Sequence, residues 1–557
     1  MTSEEAEPGW LSCGHCSGLI YRSRYLRLGW VCPDCGWHGR ITPAQRLHTM
    51  LDVDSLEVLV PAPTVVDPLR FIDTKSYRTR LSDARAAVGS WGPARDDRGS
   101  DAARVVRGAI GGREVVVAVM DFRFLGGSLG IAAGEAIATA GEQALAAHSP
   151  LLLVTASGGA RMQEGALALM QMAKTSNMMS ALDLAGVLTL TLVTDPTYGG
   201  VTASFASLSD VIVAEPGARL GFAGPRVIAQ TVGQALPDGF QTANFLLRHG
   251  LVDDIRSRAE LPHLLGTLLA TTDRPGLGWG AGESDPVIRN PDAVGEIRTA
   301  EVVALARHPG RPTTLDHLMS WTDRFIELHG DRMGADCPSI VGGIALFEGL
   351  PVVVIGHQKA NDTKELVRRN FGMPTPAGYR KARRLMRLAA KLHLPLITLV
   401  DTPGAYPGPD AERRGQGVAI AECLRELGTL DVPVASVITG EGGSGGALAL
   451  ADRVLMCRNA IYSVISPEGC AAILWRDRAK AADAATALRL DAAALLSLGV
   501  VDGVIPEPGE GAHQDPDAAT DYVRRAIICA LRELRWMDGS DLVRRRRARF
   551  RRFGVAA

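Results

Sequence analysis

Two Gly-rich stretches have the residue types and spacing to do chemistry. In LLLVTASGGARMQEG (Leu151–Gly165) four apolar residues are followed at once by small ones, Gly158-Gly159-Ala160 forms the turn, and a helical period runs from Met162 to Met170. PLITLVDTPGAYPG (Pro395–Gly408) repeats strand, small-residue turn and exit. Strand, glycine turn and helix leave bare backbone N–H groups beside an apolar sheet. Such groups bind a phosphate, or hold an oxyanion that exists only during a reaction. For one Gly-Gly pair the plainer account is a tight connection needing glycine for its backbone angles. A second copy in the same chain favours the chemical account.

Each half adds a further turn, TDPTYGG ending at Gly199-Gly200 and GEGGSGG spanning Gly442-Gly443-Ser444-Gly445-Gly446. Two N–H donors from neighbouring turns can converge on one oxygen, an arrangement worth about 3 kcal/mol per donor when preorganised. The candidate catalytic donors are therefore Gly158, Gly159, Gly199 and Gly200 in the first half and Gly442, Gly443, Gly445 and Gly446 in the second. Two familiar constellations are missing, HExxH and the GxxxxGK[ST] phosphate loop, and the turns carry no His that could serve as a base. No GxGxxG turn with a downstream acid fits the first strand, which excludes a dinucleotide-binding reading. The chemistry that remains is enolate stabilisation without an evident side-chain base.

Cys13-Gly-His-Cys16 and Cys32-Pro-Asp-Cys35 are two CxxC pairs at zinc-ribbon spacing. Four thiolates close the coordination sphere of one Zn²⁺, so Cys13, Cys16, Cys32 and Cys35 predict a structural metal. Without it, this short segment has too little core to fold. Tyr21, Arg22, Arg24, Arg27 and Trp30 keep open an alternative in which the ribbon is a weak nucleic-acid module.

The elements that position these residues follow from the pattern. The chain has 557 residues, 46% hydrophobic and 22% charged, with a net charge of −1 and 61 Gly. That is soluble α/β composition with no bulk pull toward nucleic acid or membrane. The acidic N-terminus MTSEEAEPG lacks the apolar core of a signal peptide, and no apolar run reaches the roughly 18 residues of a membrane span. A cytoplasmic protein is the expectation. Nine Cys, four of them clustered, do not suggest disulfides. Thr42 before Pro43 predicts a helix start in Ile41–Asp52. Val115–Phe122, Leu188–Asp195 and Val211–Glu215 read as strands, and Gly126–His148 opens with glycines and becomes an Ala-rich helix. The aperiodic stretch Thr271–Glu296 reads as a linker. Past it the first half recurs. LPVVVIGHQK answers REVVVAVMDF, and Ile465-Ser466-Pro467 answers Ala223-Gly224-Pro225. Counting back from Asp210 and Asp452 sets Gly200 against Gly442, an internal duplication.

These residues also carry a family resemblance. CGHC…CPDC, MDFRFLGGSLG, SGGARMQEGALALMQMAKT, TDPTYGG and GFAGPRVIAQT closely resemble the β subunit of bacterial acetyl-CoA carboxylase carboxyltransferase. LARHPGRPTTLDHL, ELHGDR, GHQKANDTKE, NFGMPTPAGYRKA, DTPGAYPG, GEGGSGGALA and YSVISPEGCAAILW closely resemble its α subunit. The two are fused here, β before α, and the helical N-terminal part expected of an α subunit is shortened.

The resemblance implies an α/β architecture of two tandem crotonase-like βαβ-spiral domains with an N-terminal zinc ribbon. The expected divisions are 10–40 ribbon, 41–270 β-type domain, 271–296 linker and 297–557 α-type domain. It implies carboxyl transfer from N-carboxybiotin to acetyl-CoA, giving malonyl-CoA for fatty-acid synthesis. The β-type glycines would hold the acyl-CoA thioester oxygen and the α-type glycines the biotin ureido oxygen, although the residues alone do not decide which half takes which. CoA phosphates want cations. Arg161, Lys174, Arg226, Lys359, Lys364 and Arg380 lie in or beside the motifs, each with a solvated helix residue as its alternative. No Met-Lys-Met biotinylation site or ATP-binding carboxylase domain is present, so the expected partners are a biotin carboxyl carrier protein and a biotin carboxylase, and the expected state is at least a dimer. A carboxyltransferase for propionyl-CoA or another acyl-CoA stays open, as does a ribbon-based nucleic-acid regulator. The basic run Arg544–Arg552 is assigned to a solvated C-terminal helix, with RNA or CoA phosphate as its alternatives.

Overall fold

The computed structural model describes residues 9–88, 101–233, 236–273, 283–295, 299–444 and 447–555. The acidic N-terminus through Pro8, the whole stretch Trp91–Ser100, and Gly445 and Gly446 lie outside the described residues. The chain divides into two compact units, Met1–Thr272 and Asp273–Ala557.

The first unit opens with a small hairpin, β1 (Trp10–Ser12) and β2 (Leu19–Tyr21), antiparallel in the ribbon. The helix Pro43–Met50 follows, and Thr42 caps it as the sequence predicts, in a reciprocal capping box with Gln45. The main sheet comprises β3 (Glu57–Leu59), β4 (Ala103–Ile110), β5 (Arg113–Met120), β6 (Leu151–Ser157), β7 (Thr189–Tyr198), β8 (Val211–Ala214), β9 (Leu220–Gly221) and β10 (Asp254–Ile255). Its order is β10-β8-β7-β6-β5-β4-β3, with β9 paired to β7. β3, β4 and β5 pair antiparallel, and the strands from β5 through β8 to β10 are parallel.

β6 is buried at every residue, as befits a strand in the middle of a parallel sheet that opens with four apolar residues. Two helices cover it. Ile131–Ala147 and Ala166–Leu184 approach closely because small residues line the contact: a Cβ on Gly141 would sit 2.2 Å from the Met178 side chain. The helical period expected from Met162 begins instead as a 3-10 turn, Met162–Glu164, and becomes α-helical only at Ala166.

The second unit repeats this plan strand for strand. Its sheet comprises β11 (Thr322–Glu327), β12 (Ile340–Phe347), β13 (Leu350–His357), β14 (Leu396–Gly404), β15 (Val434–Ser444), β16 (Arg453–Cys457), β17 (Ile461–Tyr462) and β18 (Gly503–Ile505). The order is β11-β12-β13-β14-β15-β16-β18, with β17 paired to β15. Part of the expected linker belongs to this unit. Ile288 bridges Val504 at the sheet edge, and Arg289 pairs with Glu533 at 3.4 Å. An edge segment pairs on one side only and so shows no burial period in sequence. Among the described residues no helix is long and apolar enough to cross a membrane.

Candidate functional site

In each unit the glycine turns sit where the parallel strands end. In the first unit β6 pairs with β7, Thr155 opposite Val193 and then Ser157 opposite Thr197, so two residues of β6 span four of β7. In the second, β14 and β15 carry the same irregularity, Val400 opposite Ile438 and then Thr402 opposite Gly442. Just beyond it Gly159 has φ +121° and Gly404 φ +147°, angles open to glycine and costly for other residues. The Gly159 N–H donates to Ser157 Oγ at 3.0 Å, and the Gly404 N–H to Thr402 Oγ1 at 3.1 Å. Strand bulge, hydroxyl and glycine are thus duplicated together.

This register corrects the sequence alignment of the two halves. If Ser157 matches Thr402 and Thr197 matches Gly442, then Gly199 matches Ser444. Thr197 to Asp210 is thirteen residues and Gly442 to Asp452 is ten, so the second loop is three residues shorter. Gly200 therefore corresponds in sequence to Gly445, not Gly442. Counting forward from the two Asp residues holds through β9 and β17, whereas counting back fails across this shortened loop.

The two turns of the first unit touch. A Cβ on Gly199 would lie 2.9 Å from the Gly159 Cα. The Gly158 N–H donates to Gly126 O at 2.8 Å, and the Gly199 N–H to Gly221 O at 3.1 Å and Phe222 O at 3.0 Å. With Gly159 bonded to Ser157, three of the four expected donors already have acceptors inside the protein. The N–H groups of Gly200 and Ala160 have none among the described residues. These two residues are neighbours, since a Cβ on Gly200 would be 3.5 Å from the Ala160 Cβ. Sequence reasoning missed Ala160 because a backbone donor leaves no mark in its own side chain.

In the second unit Gly443 has no room for a side chain. Its Cβ would fall 2.0 Å from Pro403 O, and one on Gly442 would fall 2.5 Å from the Tyr462 ring.

Buried charge holds the turns from behind. Arg161 has a fully buried side chain with every N–H engaged. Nε donates to Ser128 Oγ at 3.0 Å, and the two terminal nitrogens reach Asp101 at 2.8 and 2.6 Å, Tyr77 Oη at 3.2 Å and Ser128 O at 2.8 Å. Burial pulls the guanidinium pKa down and Asp101 more than offsets this, leaving it raised. Glu164 closes the set, accepting from Tyr77 Oη and from Ile131 N–H, each at 2.5 Å.

Behind the second unit's turn, Asp401 accepts from Lys359 Nζ at 2.7 Å and from the Glu441 N–H at 2.9 Å. Burial acts to raise the Asp401 pKa, but Lys359 dominates and holds it below the ordinary value. Arg307 joins Glu441 at 2.6 Å and Glu468 at 2.8 Å. His357 ends β13 fully buried, and burial pushes its pKa down to about 4, so it is neutral near pH 7.

The six cations named from sequence fare differently. Arg161 presents no N–H to an outside phosphate. Lys174 pairs with Glu135, Lys359 with Asp401, and Arg380 with the buried Asp331 at 2.8 Å. Lys364 is exposed on the helix Thr363–Arg368. Arg226 lies on the helix Pro225–Val232, which starts beside the first unit's turns.

The ribbon brings its four sulfurs within 4.8 Å of one another. Cys13 and Cys35 sulfurs are 3.7 Å apart, and those of Cys16 and Cys32 3.9 Å. Four sulfurs at about 2.3 Å from a tetrahedral zinc stand about 3.8 Å apart, so the cage fits that ion. The ribbon docks on the sheet through Glu215, which is buried between Arg46 and Arg258. Arg258 also donates to ribbon carbonyls, Gly29 O at 2.8 Å and Gly39 O at 2.6 Å. Burial would raise the Glu215 pKa, but Arg46, His38 and Arg258 overcome it and hold it well below the usual carboxylate range. Between ribbon and strand ends lies a cavity of about 110 Å³ that reaches Asp121, Ala156 and Asp195.

Sheet order, duplicated turns and the four-cysteine ribbon define a carboxyltransferase of the crotonase fold. The 12S transcarboxylase hexamer core, crystallised with methylmalonyl-CoA, superimposes with a TM-score of 0.67 at 22% identity over 89% of this chain and 90% of that one. A single-chain, multi-domain long-chain acyl-CoA carboxylase gives 0.65 at 21% identity, over 88% of this chain and 46% of that one. Residues 85–241 match the carboxyl transferase domain family, and residues 289–554 match the acetyl co-enzyme A carboxylase carboxyltransferase-like family.

The acetyl-CoA carboxylase carboxyl transferase subunits beta/alpha of Parafrankia sp. are 57% identical, covering 98% of this chain and 92% of that protein. Those of Natranaerobius thermophilus are 41% identical, covering 98% and 91%. The alpha subunit of Thermus thermophilus is 58% identical over 46% of this chain and 82% of its own length. The chain belongs to the acetyl-CoA carboxylase carboxyltransferase family, in the form that joins β and α parts in one polypeptide. It is an enzyme that transfers a carboxyl group, of the biotin-dependent carboxylase type.

Proposed function

We propose that the chain moves the carboxyl group of N-carboxybiotin, presented by a separate biotin carboxyl carrier protein and charged by a biotin carboxylase, onto acetyl-CoA to give malonyl-CoA. The observation that carries this reading is the duplicated turn: the same bulge, hydroxyl and glycine at the end of the same strand pair in both units. Carboxyl transfer puts negative charge on two oxygens. The thioester oxygen gains it as the acetyl methyl loses a proton, and the ureido oxygen gains it as the carboxyl leaves. Two copies of a donor turn supply one hole for each. By family likeness the first unit takes the thioester, through Gly200 with Ala160, on a frame made by Gly158, Gly159 and Gly199. The second takes the ureido group through the Gly442–Gly446 loop.

The side chains beside the turns are already paired. Asp195 is held by Arg219 at 2.7 Å, Asp401 by Lys359 at 2.7 Å and Glu441 by Arg307 at 2.6 Å, while His357 is closed to solvent. The methyl proton then goes to the ureido nitrogen that the carboxyl has left. One C–N bond breaks, one C–C bond forms, and the protein contributes donors and exclusion of water. Zinc, bound by Cys13, Cys16, Cys32 and Cys35, would hold the ribbon's fold and take no part in the chemistry. Arg226 and Lys364 stay as candidates for CoA phosphate.

The test is the reverse reaction, biotin-dependent decarboxylation of malonyl-CoA by purified protein without partners. Methylmalonyl-CoA run alongside reads acyl selectivity. Gly159→Val, which forces a β-branched residue to φ +121°, and Gly442→Val, which meets the Tyr462 ring, should each lower the rate by about 10²–10³-fold or more. Absence of biotin-dependent turnover, or wild-type rates in both variants, overturns the reading.

A further inference from the structure

The run Arg544–Arg552 has no part in the proposed reaction, and the structure sorts its arginines into two sets. It forms the last helix, Gly539–Arg551. Arg546 is 1% exposed and fully engaged, with Asp452 at 3.0 and 2.6 Å and with the carbonyls of Leu427 at 2.7 Å and Leu430 at 2.8 Å. Arg549 pairs with Asp502 and donates to Val500 O at 3.1 Å. These two fasten the helix to its unit. Arg545 and Arg552 are exposed, and neither has a carboxylate partner among the described residues.

Arg545, Arg549 and Arg552 follow at intervals of four and three, so they share one helix stripe. That stripe lines a cavity of about 460 Å³, whose wall continues with Leu498, Met537 and Phe553. None of the described turn glycines lines it. The volume lies in the ~300–1,000 Å³ range of small-molecule sites. The two carboxylates in the lining, Asp452 and Asp502, are taken by Arg546 and Arg549, which leaves Arg545 and Arg552 beside the apolar surface with no carboxylate partner among the described residues. Guanidinium forks match phosphate oxygens. A plainer role for the run, complementing the helix dipole, covers the last-turn residues Arg549 and Arg551 but not Arg545, which lies before that turn.

We propose that this cavity is a second small-molecule site, for a phosphate ester that also carries an aromatic or other apolar group, held by Arg545 and Arg552. Calorimetric titration of the full chain with ATP, inorganic pyrophosphate and adenosine tests this, with acetyl-CoA saturating so that the proposed acyl-CoA site is filled. ATP should bind, pyrophosphate more weakly, and adenosine alone not at all. The double variant Arg545→Gln/Arg552→Gln should weaken ATP by about tenfold or more, and the KM for acetyl-CoA should not change. Arg544→Gln should leave binding unaltered, because Arg544 pairs with Asp541 at 2.8 Å and does not line the cavity. The proposal is overturned if ATP fails to bind at millimolar concentration, or binds the double variant as well as wild type. It is also overturned if the double variant raises the acetyl-CoA KM in step, which would put these arginines in the acyl-CoA site. Binding of a short RNA but not ATP would make the stripe a polyanion surface and end the proposal as well. The biotin-dependent decarboxylation rate reads the reaction itself, so failure here leaves that reading standing.

Discussion

Replacing Arg161 with methionine separates a phosphate ligand from an internal brace. The substitution keeps volume and apolar stem but removes the guanidinium that holds the Asp101 carboxylate, and Asp101 is only 5% exposed. Breaking one side of a buried pair costs about 3–5 kcal/mol, because the partner charge is left without compensation. A domain's whole stability is about 5–15 kcal/mol, so a large share of it is at stake. At roughly 2–4 °C per kcal/mol for a domain of this size, the melting temperature of the first unit should fall by about 6–20 °C. Arg161→Lys keeps the charge but loses the fork and should fall in between.

Activity should follow the folded fraction and the geometry of the turn, since the Arg161 N–H bonds Leu129 O at 2.9 Å just beyond Gly159. The loss should therefore appear in kcat, with a KM for acetyl-CoA that does not respond to salt. Differential scanning calorimetry with kinetics at two ionic strengths reads both. A variant that melts like wild type but raises the KM at least tenfold, with strong salt dependence, would mean that Arg161 reaches a CoA phosphate and that its buried network was misassigned.

Freshly purified protein should contain one zinc per chain, and Cys13→Ser should loosen the ribbon while leaving the second unit folded; metal analysis that finds no zinc sinks this expectation. Glu215 carries a pH signature. Its folded pKa is depressed, so its contribution is present in full above the ordinary value of 4.5 and is lost as pH falls below that through the folded pKa. Glu215→Gln should therefore destabilise ribbon docking at pH 7, and the gap between variant and wild type should close as the solution is acidified. A gap that stays constant down to the acid limit would show that the carboxylate does not bear the contact.

Much of the fold was legible because local pattern and tertiary role coincide. β6 and β14 begin as apolar runs that lead into glycine turns, and Thr42 with Gln45 writes a helix start into four residues. The site was less legible, for physical reasons. Arg161 sits in a glycine motif and resembles a phosphate ligand, and Glu164 is three residues away, yet the carboxylate that takes both its terminal nitrogens, Asp101, and the Tyr77 hydroxyl that also accepts from it lie 60 and 84 residues away. Nothing in the local sequence shows that they close over it. Ala160 was invisible because its contribution is an amide, which any residue except proline supplies.

The alignment of the two halves shows the same limit from another side. Both copies keep what the backbone needs: the bulge, the hydroxyl at Ser157 or Thr402, and the left-handed glycine at Gly159 or Gly404. They differ where substrate would be met. Thr197-Tyr198-Gly199 in one becomes Gly442-Gly443-Ser444 in the other, and the loop to Asp452 loses three residues. Gly443 takes the place of a tyrosine because its strand runs against Pro403 O with no space for a Cβ. A shared frame with divergent lining is what a duplicated oxyanion hole needs if one copy is to face a thioester and the other a ureido ring. The sequence difference between the copies is thus part of the argument for two substrates, and it becomes visible only once strand register, not residue counting, sets the correspondence.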